Sequence, residues 1–322
     1  MEYKTAVYNE VMIYCKERGL IEKLEKSFLI PESERFNALN IAQSGLDILD
    51  AVHCIYDVRR TNSFIEEIGK KVSKGDIVLE AGIGTGILSF YAASLGAKVY
   101  GCEINHAVFE LAQEIKNHLE KSKFIPPSSV EFFLDNAIAF VPPRSMDVLI
   151  SENIYTGMFF EYQVQIMNNL LAYLNADGIC IPQKMRSFAA LSQTIFPHTP
   201  RDKELFVPSE KKDEEIIYTL LSTPYQYDEI DFTKISDTSV HRTMTIPIKT
   251  EGMVNSLLVY SEVVMPSGRV IRKDDTTFLN SEIVIAISPQ LEVKKGDKIE
   301  LTIRYNYSSK PEDALIDIKR IN

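Results

Sequence analysis

The sequence has no tryptophan, few cysteines and no long apolar run. Its four cysteines are not spaced as C-x-x-C pairs and do not cluster with a histidine, so they predict neither a zinc site nor a disulfide framework. They are typical of reduced thiols, and we expect a cytoplasmic location. No apolar run reaches the ~18 residues of a membrane helix, and the first ten residues lack the pattern of a secretory signal peptide. A membrane is therefore not an expected partner.

The sequence also has fewer positive than negative charges. The 322 residues include 35 Lys and Arg against 45 Asp and Glu, which gives a net charge of -10. Phosphate binding needs a basic surface, so nucleic acid is not an expected partner either. An acidic chain is compatible with a cationic substrate. The length suggests about two domains, and a hydrophobic content of 45% is enough for a large core.

The first part of the chain has helical spacing of its apolar residues. The pattern predicts helices over 1–28, with a break near Gly19, over about 33–56 and over about 60–72. We interpret residues 1–74 as an N-terminal helical cap that packs on the domain after it.

From residue 75 onward, predicted strands alternate with helices and then continue without them. Runs such as "DIVLEAG", "AKVYGCE" and "MDVLIS" predict an α/β fold over 75–184, a doubly wound, Rossmann-like parallel sheet. Residues 185–322 contain mostly strand patterns, which predict an antiparallel β-barrel or sandwich, with a hairpin turn at 266–268. The polar stretch over 194–221 is compatible with a helix at its end.

A glycine-rich loop follows the first predicted strand and contains Glu80, Gly82, Gly84 and Gly86. A dinucleotide fingerprint would need a third glycine where Ile87 stands. The pattern here is acid-x-G-x-G-x-G, a tight turn against which a ligand can lie. The leading acid suits a cationic amine better than a pyrophosphate. The alternative interpretation is an ordinary turn between a strand and a helix.

Polar side chains also end the next two predicted strands. Glu103 lies about 20 residues beyond Glu80, where an acid can accept hydrogen bonds from both hydroxyls of a ribose. A free ribose diol without a pyrophosphate loop points to S-adenosylmethionine. Asp135 and Asn136 follow the third strand and can meet the adenine amine, although a plain turn explains them equally well.

The stretch "SENIYTGMFFE" places Glu152 and Glu161 at the two ends of a mostly apolar segment. Glutamates next to aromatic residues need a balancing charge. One interpretation is a pair of carboxylates that holds a cation. The other is that Glu161 caps the following helix and Glu152 only ends a strand.

With these motifs, the sequence resembles the protein arginine methyltransferases from about residue 46 to the C-terminus. "VLEAGIGTGILSFYAASLGAKVYGCE" is similar to their cofactor segment, and "DVLISENIYTGMFFE" is similar to their double-glutamate loop. The resemblance implies S-adenosylmethionine as cofactor and a guanidinium held by Glu152 and Glu161. It also implies that Arg60, in the D-x-x-R pattern, pairs with the cofactor carboxylate. Arg59 is the alternative, and either arginine can instead be a solvated helix charge.

The sequence departs from that family in two places. The family has a Thr-His-Trp loop, whose position falls near Thr277–Asn280, "TFLN", where this chain has neither histidine nor tryptophan. The family's dimerisation arm is shortened and rewritten around 193–225. A homodimer is therefore an option that the sequence leaves open.

We expect an S-adenosylmethionine-dependent N-methyltransferase that acts on a guanidino nitrogen in a protein, a peptide or a small compound. The altered loop and arm, with the added N-terminal helices, favour a small or peptidyl guanidine. The alternatives are a methyltransferase for another amine or small molecule, more distantly an aminopropyl transferase, and a catalytically inactive protein that binds the cofactor and acts through protein contacts.

Overall fold

The computed structural model describes residues 5–27, 46–208, 216–276 and 282–321. Four helices open this part of the chain: α1 (Ala6–Glu17), α2 (Leu20–Ser27), α3 (Ile48–Tyr56) and α4 (Val58–Lys71). The predicted break at Gly19 is confirmed, because Gly19 has a φ of 67° and separates α1 from α2. The first half of the helix predicted over 33–56 lies outside the described residues, and its second half is α3.

The N-terminal helices pack on the domain that follows. Thr5 caps α1 by accepting a hydrogen bond from the Tyr8 amide, as short hydroxyl side chains do at helix starts. The Tyr8 hydroxyl donates to the Ile55 carbonyl at 2.9 Å, and the Tyr14 hydroxyl donates to Glu114 at 3.0 Å. The N-terminal helices are thus tied both to α3, which borders the site described below, and to the helix that carries Glu114.

The central sheet has five parallel strands in the order β3-β2-β1-β4-β5. Its strands are β1 (Ile77–Ala81), β2 (Lys98–Glu103), β3 (Val130–Leu134), β4 (Met146–Ser151) and β5 (Leu174–Ile181), and its helices are α5 (Ile87–Ser94), α6 (His106–Lys121) and α7 (Gln163–Leu170). The strand order reverses direction between β1 and β4, which makes the carboxyl ends of these strands the expected ligand site of a doubly wound sheet. The predicted α/β class is confirmed.

Antiparallel strands follow the parallel sheet. A seven-stranded sheet contains the path β7-β13-β11-β6-β8, with β12 paired to β11 and β9 paired to β6, and a three-stranded sheet has the order β10-β14-β15. The strands are β6 (Lys184–Ile195), β7 (Leu205–Phe206), β8 (Ile217–Leu220), β9 (Tyr225–Asp231), β10 (Ser239–Pro247), β11 (Gly252–Val264), β12 (Val270–Ile271), β13 (Ile283–Val293), β14 (Lys298–Asn306) and β15 (Leu315–Ile321). The antiparallel class predicted for this part is confirmed, and the boundaries at 74 and 184 stay a proposal.

One local expectation was wrong. The end of the polar stretch over 194–221 was compatible with a helix, but the described part of that end is strand β8, which pairs with β6 in antiparallel register. Ile217 and Leu220 are exposed, and pairing with the long β6 strand satisfies backbone groups of this short edge segment. Tertiary pairing outweighed the local pattern, as it does for short segments.

The hairpin turn predicted at 266–268 is present between β11 and β12, and it contacts α4. The amide and hydroxyl of Ser267 donate to the two carboxylate oxygens of Glu67 at 2.8 and 2.6 Å. The Glu67 side chain is completely buried. Next to it, Glu66 and Arg269 form an ion pair that is partly exposed. The helix that follows Asp57 is therefore fastened to the antiparallel part of the chain.

We predict that Glu67→Ala lowers the free energy of unfolding by about 1–3 kcal/mol, because it removes a buried carboxylate that accepts two hydrogen bonds from the Ser267 turn. Glu66→Ala is the matched control, since an exposed ion pair contributes at most about 1 kcal/mol. Urea unfolding followed by circular dichroism measures both variants. Equal losses in the two variants would contradict a structural role for the buried carboxylate.

Candidate active site

A cavity of about 310 Å³ lies at the carboxyl ends of β1, β2, β3 and β4. Nine of the ten residues proposed from the sequence line it: Arg60, Glu80, Gly82, Gly84, Glu103, Asp135, Asn136, Glu152 and Glu161. Leu46, Ala51, Cys54 and Ile55 add a wall from α3 and the segment before it. One cavity therefore brings together the glycine loop, the ends of the strands and both glutamates of the predicted pair.

The glycine loop has the backbone that only glycine adopts easily. Gly82, Gly84 and Gly86 all have positive φ, between 54° and 82°. A Cβ at Gly82 would collide with the side chain of Asn153. Gly86 is the one proposed residue that does not line the cavity. A Cβ there would meet the Phe90 ring at 2.7 Å, so Gly86 serves the packing at the start of α5 and has no contact surface for a ligand.

Glu103 lies at the end of β2 and is 6% exposed. One carboxylate oxygen accepts from the Gly84 amide at 3.1 Å, and the other accepts from the amides of Ile104 and Asn105 at 3.0 and 2.9 Å. Burial raises the pKa of Glu103, and these three backbone donors oppose the rise. The carboxylate is thus held against the glycine loop, with lone pairs left to accept hydroxyl protons from a ligand.

Glu80 is buried at the end of β1 and contacts the first turn of α5. Its Oε2 atom accepts from the Ser89 amide at 2.8 Å and also from the Ser89 hydroxyl. Burial is the main cause that raises the pKa of Glu80 to about 8. The main role of Glu80 is therefore to accept the hydrogen bonds that fix the start of α5. It adds negative charge to the cavity when it is ionised.

Arg60 and Arg59 occupy different environments. Arg60 is 5% exposed, whereas Arg59 is on the exposed side of α4. Arg60 forms an ion pair with Glu152 and donates from Nη1 to the Cys54 carbonyl at 3.1 Å. Its Nε has no hydrogen-bond partner among the described residues. A buried donor without a partner, at the wall of a cavity, is the group that a ligand carboxylate would satisfy.

The segment between the two glutamates begins with a network that the sequence analysis missed. The Gln163 amide oxygen accepts from the Ser151 hydroxyl at 2.9 Å and from the Asn153 amide at 3.0 Å, while its nitrogen donates to the Ser151 carbonyl. The Asn153 side chain donates to the Ala81 carbonyl at 2.9 Å. Glu152 is therefore fixed between two anchored neighbours. In the sequence, the signal for Gln163 and Asn153 is that each is a polar residue within or next to a mostly apolar stretch, where a buried polar group needs hydrogen-bond partners.

Glu161 differs from the other acids of the cavity, because its carboxylate has neither a hydrogen bond nor an ion pair from the described residues, whereas Glu80 and Glu103 accept hydrogen bonds and Glu152 pairs with Arg60. Burial raises the pKa of Glu161 to about 7, and the negative charges of Asp50 and Glu103 add to the rise. An ionised carboxylate in such a place needs a cation. The described residues supply none there, so a cationic ligand is the fitting complement.

Asp135 and Asn136 follow β3 and take part in a local turn. The Asp135 amide donates to the Glu103 carbonyl at 2.9 Å, and one Asp135 carboxylate oxygen accepts from the Asn136 amide at 2.7 Å. The Asn136 oxygen accepts from the Ile138 amide at 3.0 Å. The turn is thus real, and the second carboxylate oxygen of Asp135 is the acceptor best suited to an adenine amine.

The position of the family's Thr-His-Trp loop, Thr277–Asn280, lies outside the described residues. Immediately before it, the Thr276 hydroxyl donates to the Asp57 carboxylate at 2.5 Å. Asp57 also caps α4, because its other oxygen accepts from the Arg60 amide at 3.2 Å. This stretch of the antiparallel part therefore reaches the first turn of the helix that carries Arg60.

Comparison with known proteins agrees with this geometry. A family model for a methyltransferase domain matches residues 72–223. An uncharacterized protein of Methanocaldococcus jannaschii is 26% identical over 253 residues, which cover 78% of this chain and 88% of that protein. Protein arginine N-methyltransferase 1 of Saccharomyces cerevisiae is 27% identical over 243 residues, which cover 66% of each.

Two solved structures share the fold at low sequence identity. The Trypanosoma brucei PRMT1 enzyme-prozyme heterotetrameric complex with AdoHcy aligns with a TM-score of 0.66 at 15% identity, over 84% of this chain and 96% of that chain. Arabidopsis thaliana protein arginine methyltransferase 10 aligns with a TM-score of 0.61 at 14% identity, over 84% and 97%.

The family model and the fold support a methyltransferase with the class I fold, and the predicted resemblance is confirmed. S-adenosylmethionine is the cofactor predicted from the glycine loop and Glu103, and the solved neighbour from Trypanosoma brucei is a complex with AdoHcy. The donor set fits S-adenosylmethionine: a glycine cradle, acceptors for a diol and an amine, and an unsatisfied arginine nitrogen. No helix in the described ranges is long and apolar enough to span a membrane.

We predict that Arg60→Ala weakens the binding of S-adenosylhomocysteine by about 10-fold or more, because hydrogen bonds to charged groups are worth about 1.5–3 kcal/mol. Arg59→Ala is the matched control, one residue away on the exposed side of the helix, and it should leave the affinity nearly unchanged. Isothermal titration calorimetry measures both variants. A larger loss for Arg59→Ala would place the other arginine at the carboxylate.

We also predict that the ligand-free protein loses stability as the pH rises. Folding raises the pKa of Glu161 to about 7 and that of Glu80 to about 8, from an ordinary value of 4.5. Their stabilising contribution is therefore complete below the ordinary value and is lost as the pH rises through about 7 to 8. Urea unfolding at about pH 5 and about pH 8 measures the fall.

Glu161→Gln should reduce that fall in stability, because it removes one of the two carboxyl groups that cause it. Glu131→Gln, which changes an exposed carboxyl on β3, serves as the control. The same pH dependence in wild type and Glu161→Gln would show that the Glu161 carboxyl is not buried in the folded state.

Proposed function

We propose that this chain is an S-adenosylmethionine-dependent N-methyltransferase that transfers a methyl group to a guanidino nitrogen. The observation that carries the proposal is the presence of Glu152 and Glu161 in one cavity, where no basic side chain of the described residues pairs with Glu161. A guanidinium is a planar cation with donors in a fixed fork, which two carboxylates can hold from two sides. The arginine methyltransferases among the relatives support the same acceptor chemistry.

The roles of the chain's residues follow from their contacts. Glu103 accepts from the ribose hydroxyls, Asp135 accepts from the adenine amine, and Arg60 binds the carboxylate of the cofactor. When bound, S-adenosylmethionine supplies an electrophilic methyl group next to the two glutamates. Arg60 keeps its ion pair with Glu152 through Nη2, so its Nε is the donor directed to the cofactor.

Glu152 and Glu161 hold the guanidinium against that methyl group and balance its charge. Positioning and electrostatic stabilisation are the main sources of rate in such a transfer. The attacked nitrogen loses a proton as its bond to carbon forms. Glu161 accepts this proton, because a carboxyl with a pKa raised to about 7 is matched to proton transfer near neutral pH.

The acceptor that we propose is a small or peptidyl guanidine. The segment before α3 and the helix itself add Leu46, Cys54 and Ile55 to the cavity wall, so the N-terminal part of the chain narrows the site. The Leu46 carbonyl accepts from the Asn105 side chain at 3.0 Å and ties this wall to the end of β2. A homodimer stays a proposal, and one solved neighbour is a heterotetrameric complex.

Incubation with S-adenosylmethionine labelled in its methyl group tests the function directly. The acceptor panel contains free arginine, small guanidines, arginine-containing peptides and arginine-rich proteins, with lysine and simple amines as the contrast. We expect label in small or peptidyl guanidines. Transfer to amines alone would support a methyltransferase for another amine, and intact cofactor binding without any transfer would support a non-catalytic interaction protein.

We predict that Glu152→Gln and Glu161→Gln each lower kcat/KM for the guanidino acceptor by at least ~100-fold, since each keeps the shape and removes about 3 kcal/mol of charge stabilisation. The double variant should be hardly worse than either single one if the pair works as a unit. Steady-state rates and melting temperatures are measured on the same proteins, with Glu131→Gln as the control. If Glu161 only caps α7, its variant keeps the rate and loses about 0.3–1 kcal/mol of stability.

A further inference from the structure

The segment between Glu152 and Glu161 has an unusual backbone. Gly157, Met158 and Phe160 have φ values of 67°, 58° and 63°, in the left-handed region that side chains other than glycine rarely adopt. At Met158 and Phe160 such conformations cost on the order of 1–3 kcal/mol each and persist only when the surroundings enforce them. The enforcing contacts come from the antiparallel part of the chain.

Four buried hydroxyls form a ring of contacts around the peptide groups of Gly157. The Gly157 amide donates to the Ser261 hydroxyl at 3.0 Å, and the Tyr305 hydroxyl donates to the Gly157 carbonyl at 2.6 Å. Behind these two groups, the hydroxyls of Ser261 and Ser187 are 3.1 Å apart and the hydroxyls of Tyr227 and Tyr305 are 2.8 Å apart, and Ser187 lies next to Tyr227.

The chemistry of a hydroxyl, which has one proton to donate, fixes the direction of the bonds to the Gly157 carbonyl. Tyr305 donates its proton to that carbonyl, so it accepts from Tyr227. None of the four residues is more than 4% exposed. Hydrogen bonds in such a buried place are stronger than in water and restrict the groups that form them.

Neighbouring contacts extend this hold along the glutamate segment. The Ser308 amide donates to the Met158 carbonyl and its hydroxyl donates to the Glu161 carbonyl, both at 2.8 Å. The Phe160 amide donates to the Ser309 carbonyl at 3.1 Å. The ring centroids of Phe159 and Tyr305 lie 4.4 Å apart in a stacked arrangement. The end of β14 and the residues after it therefore serve as a template for this segment.

We propose that the ring of Ser187, Tyr227, Ser261 and Tyr305 sets the relative position of Glu152 and Glu161, and that Tyr305 is its principal positioning residue. The inference rests on the proposed function for its effect on rate. Tyr305 touches neither the cavity nor either carboxylate. It acts through the Gly157 carbonyl, five residues after Glu152 and four before Glu161.

Tyr305→Phe tests the ring, because it removes the donor to the Gly157 carbonyl and keeps the aromatic packing. Tyr307→Phe is the matched control. Tyr307 is similarly buried, and its hydroxyl donates to Asp228 at 2.5 Å and not to the glutamate segment. Both changes leave a buried partner unsatisfied and should destabilise the fold similarly, so a difference between them reports on the segment and not on general stability.

Two readouts are measured on the full chain saturated with S-adenosylhomocysteine or S-adenosylmethionine, below the onset of unfolding. In Tyr305→Phe we expect faster hydrogen–deuterium exchange in the peptide that contains residues 152–161, and a loss of about 10- to 100-fold in kcat/KM for the acceptor. The Kd for S-adenosylhomocysteine should change less than about twofold. Tyr307→Phe should change neither readout, and Tyr227→Phe should fall between them.

The exchange measurement does not depend on the acceptor, so it separates this inference from the proposed function. If the wild type methylates no guanidine in the panel, the proposed function fails and exchange in the 152–161 peptide still decides whether the ring holds the segment. Exchange and kcat/KM in Tyr305→Phe that match those in Tyr307→Phe would overturn the inference.

Discussion

Negative charge buried around one cavity is the constraint on which the rest of this structure depends. The charge of Glu80 is lessened by a raised pKa and stabilised by the donors of Ser89. Three backbone amides stabilise the carboxylate of Glu103, and Arg60 stabilises that of Glu152. The described residues provide no such stabilisation for the Glu161 carboxylate. Burying an ionised group without a partner is costly. The protein therefore keeps a site that is completed by cations, and both a sulfonium and a guanidinium meet that condition.

Much of this arrangement could be predicted from the sequence, because its signals are local. Apolar runs ending in acids or glycines located the strands whose carboxyl ends meet, and fixed spacing located Glu103, Glu152 and Glu161. Two details needed coordinates. The D-x-x-R pattern favoured Arg60 over Arg59, but the coordinates were needed to show that Arg60 is the buried one of the two. Gly86 matches the glycine pattern but serves the packing of Phe90.

Other features have no local signal at all. The hydroxyl ring joins Ser187, Tyr227, Ser261 and Tyr305 from four different strands to a glycine far away in the chain, and none of these residues stands in a recognisable motif. Their contacts exist only after the sheets have formed. Strand β8 failed as a prediction for a related reason, since pairing with β6 decided its conformation.

The antiparallel part of the chain holds both the glutamate segment and the helix that carries Arg60. It fixes the glutamate segment through the hydroxyls that surround Gly157 and through the residues that follow β14. It also fixes the helix of Arg60 at both ends, where Thr276 donates to Asp57 and Ser267 donates to Glu67. The parallel sheet brings the residues of the cavity together, but the glutamate segment and the helix of Arg60 are held by contacts from the antiparallel part. The candidate site is therefore a property of all three sheets together, and the Rossmann-like part alone would leave its strained segment without the contacts that hold it.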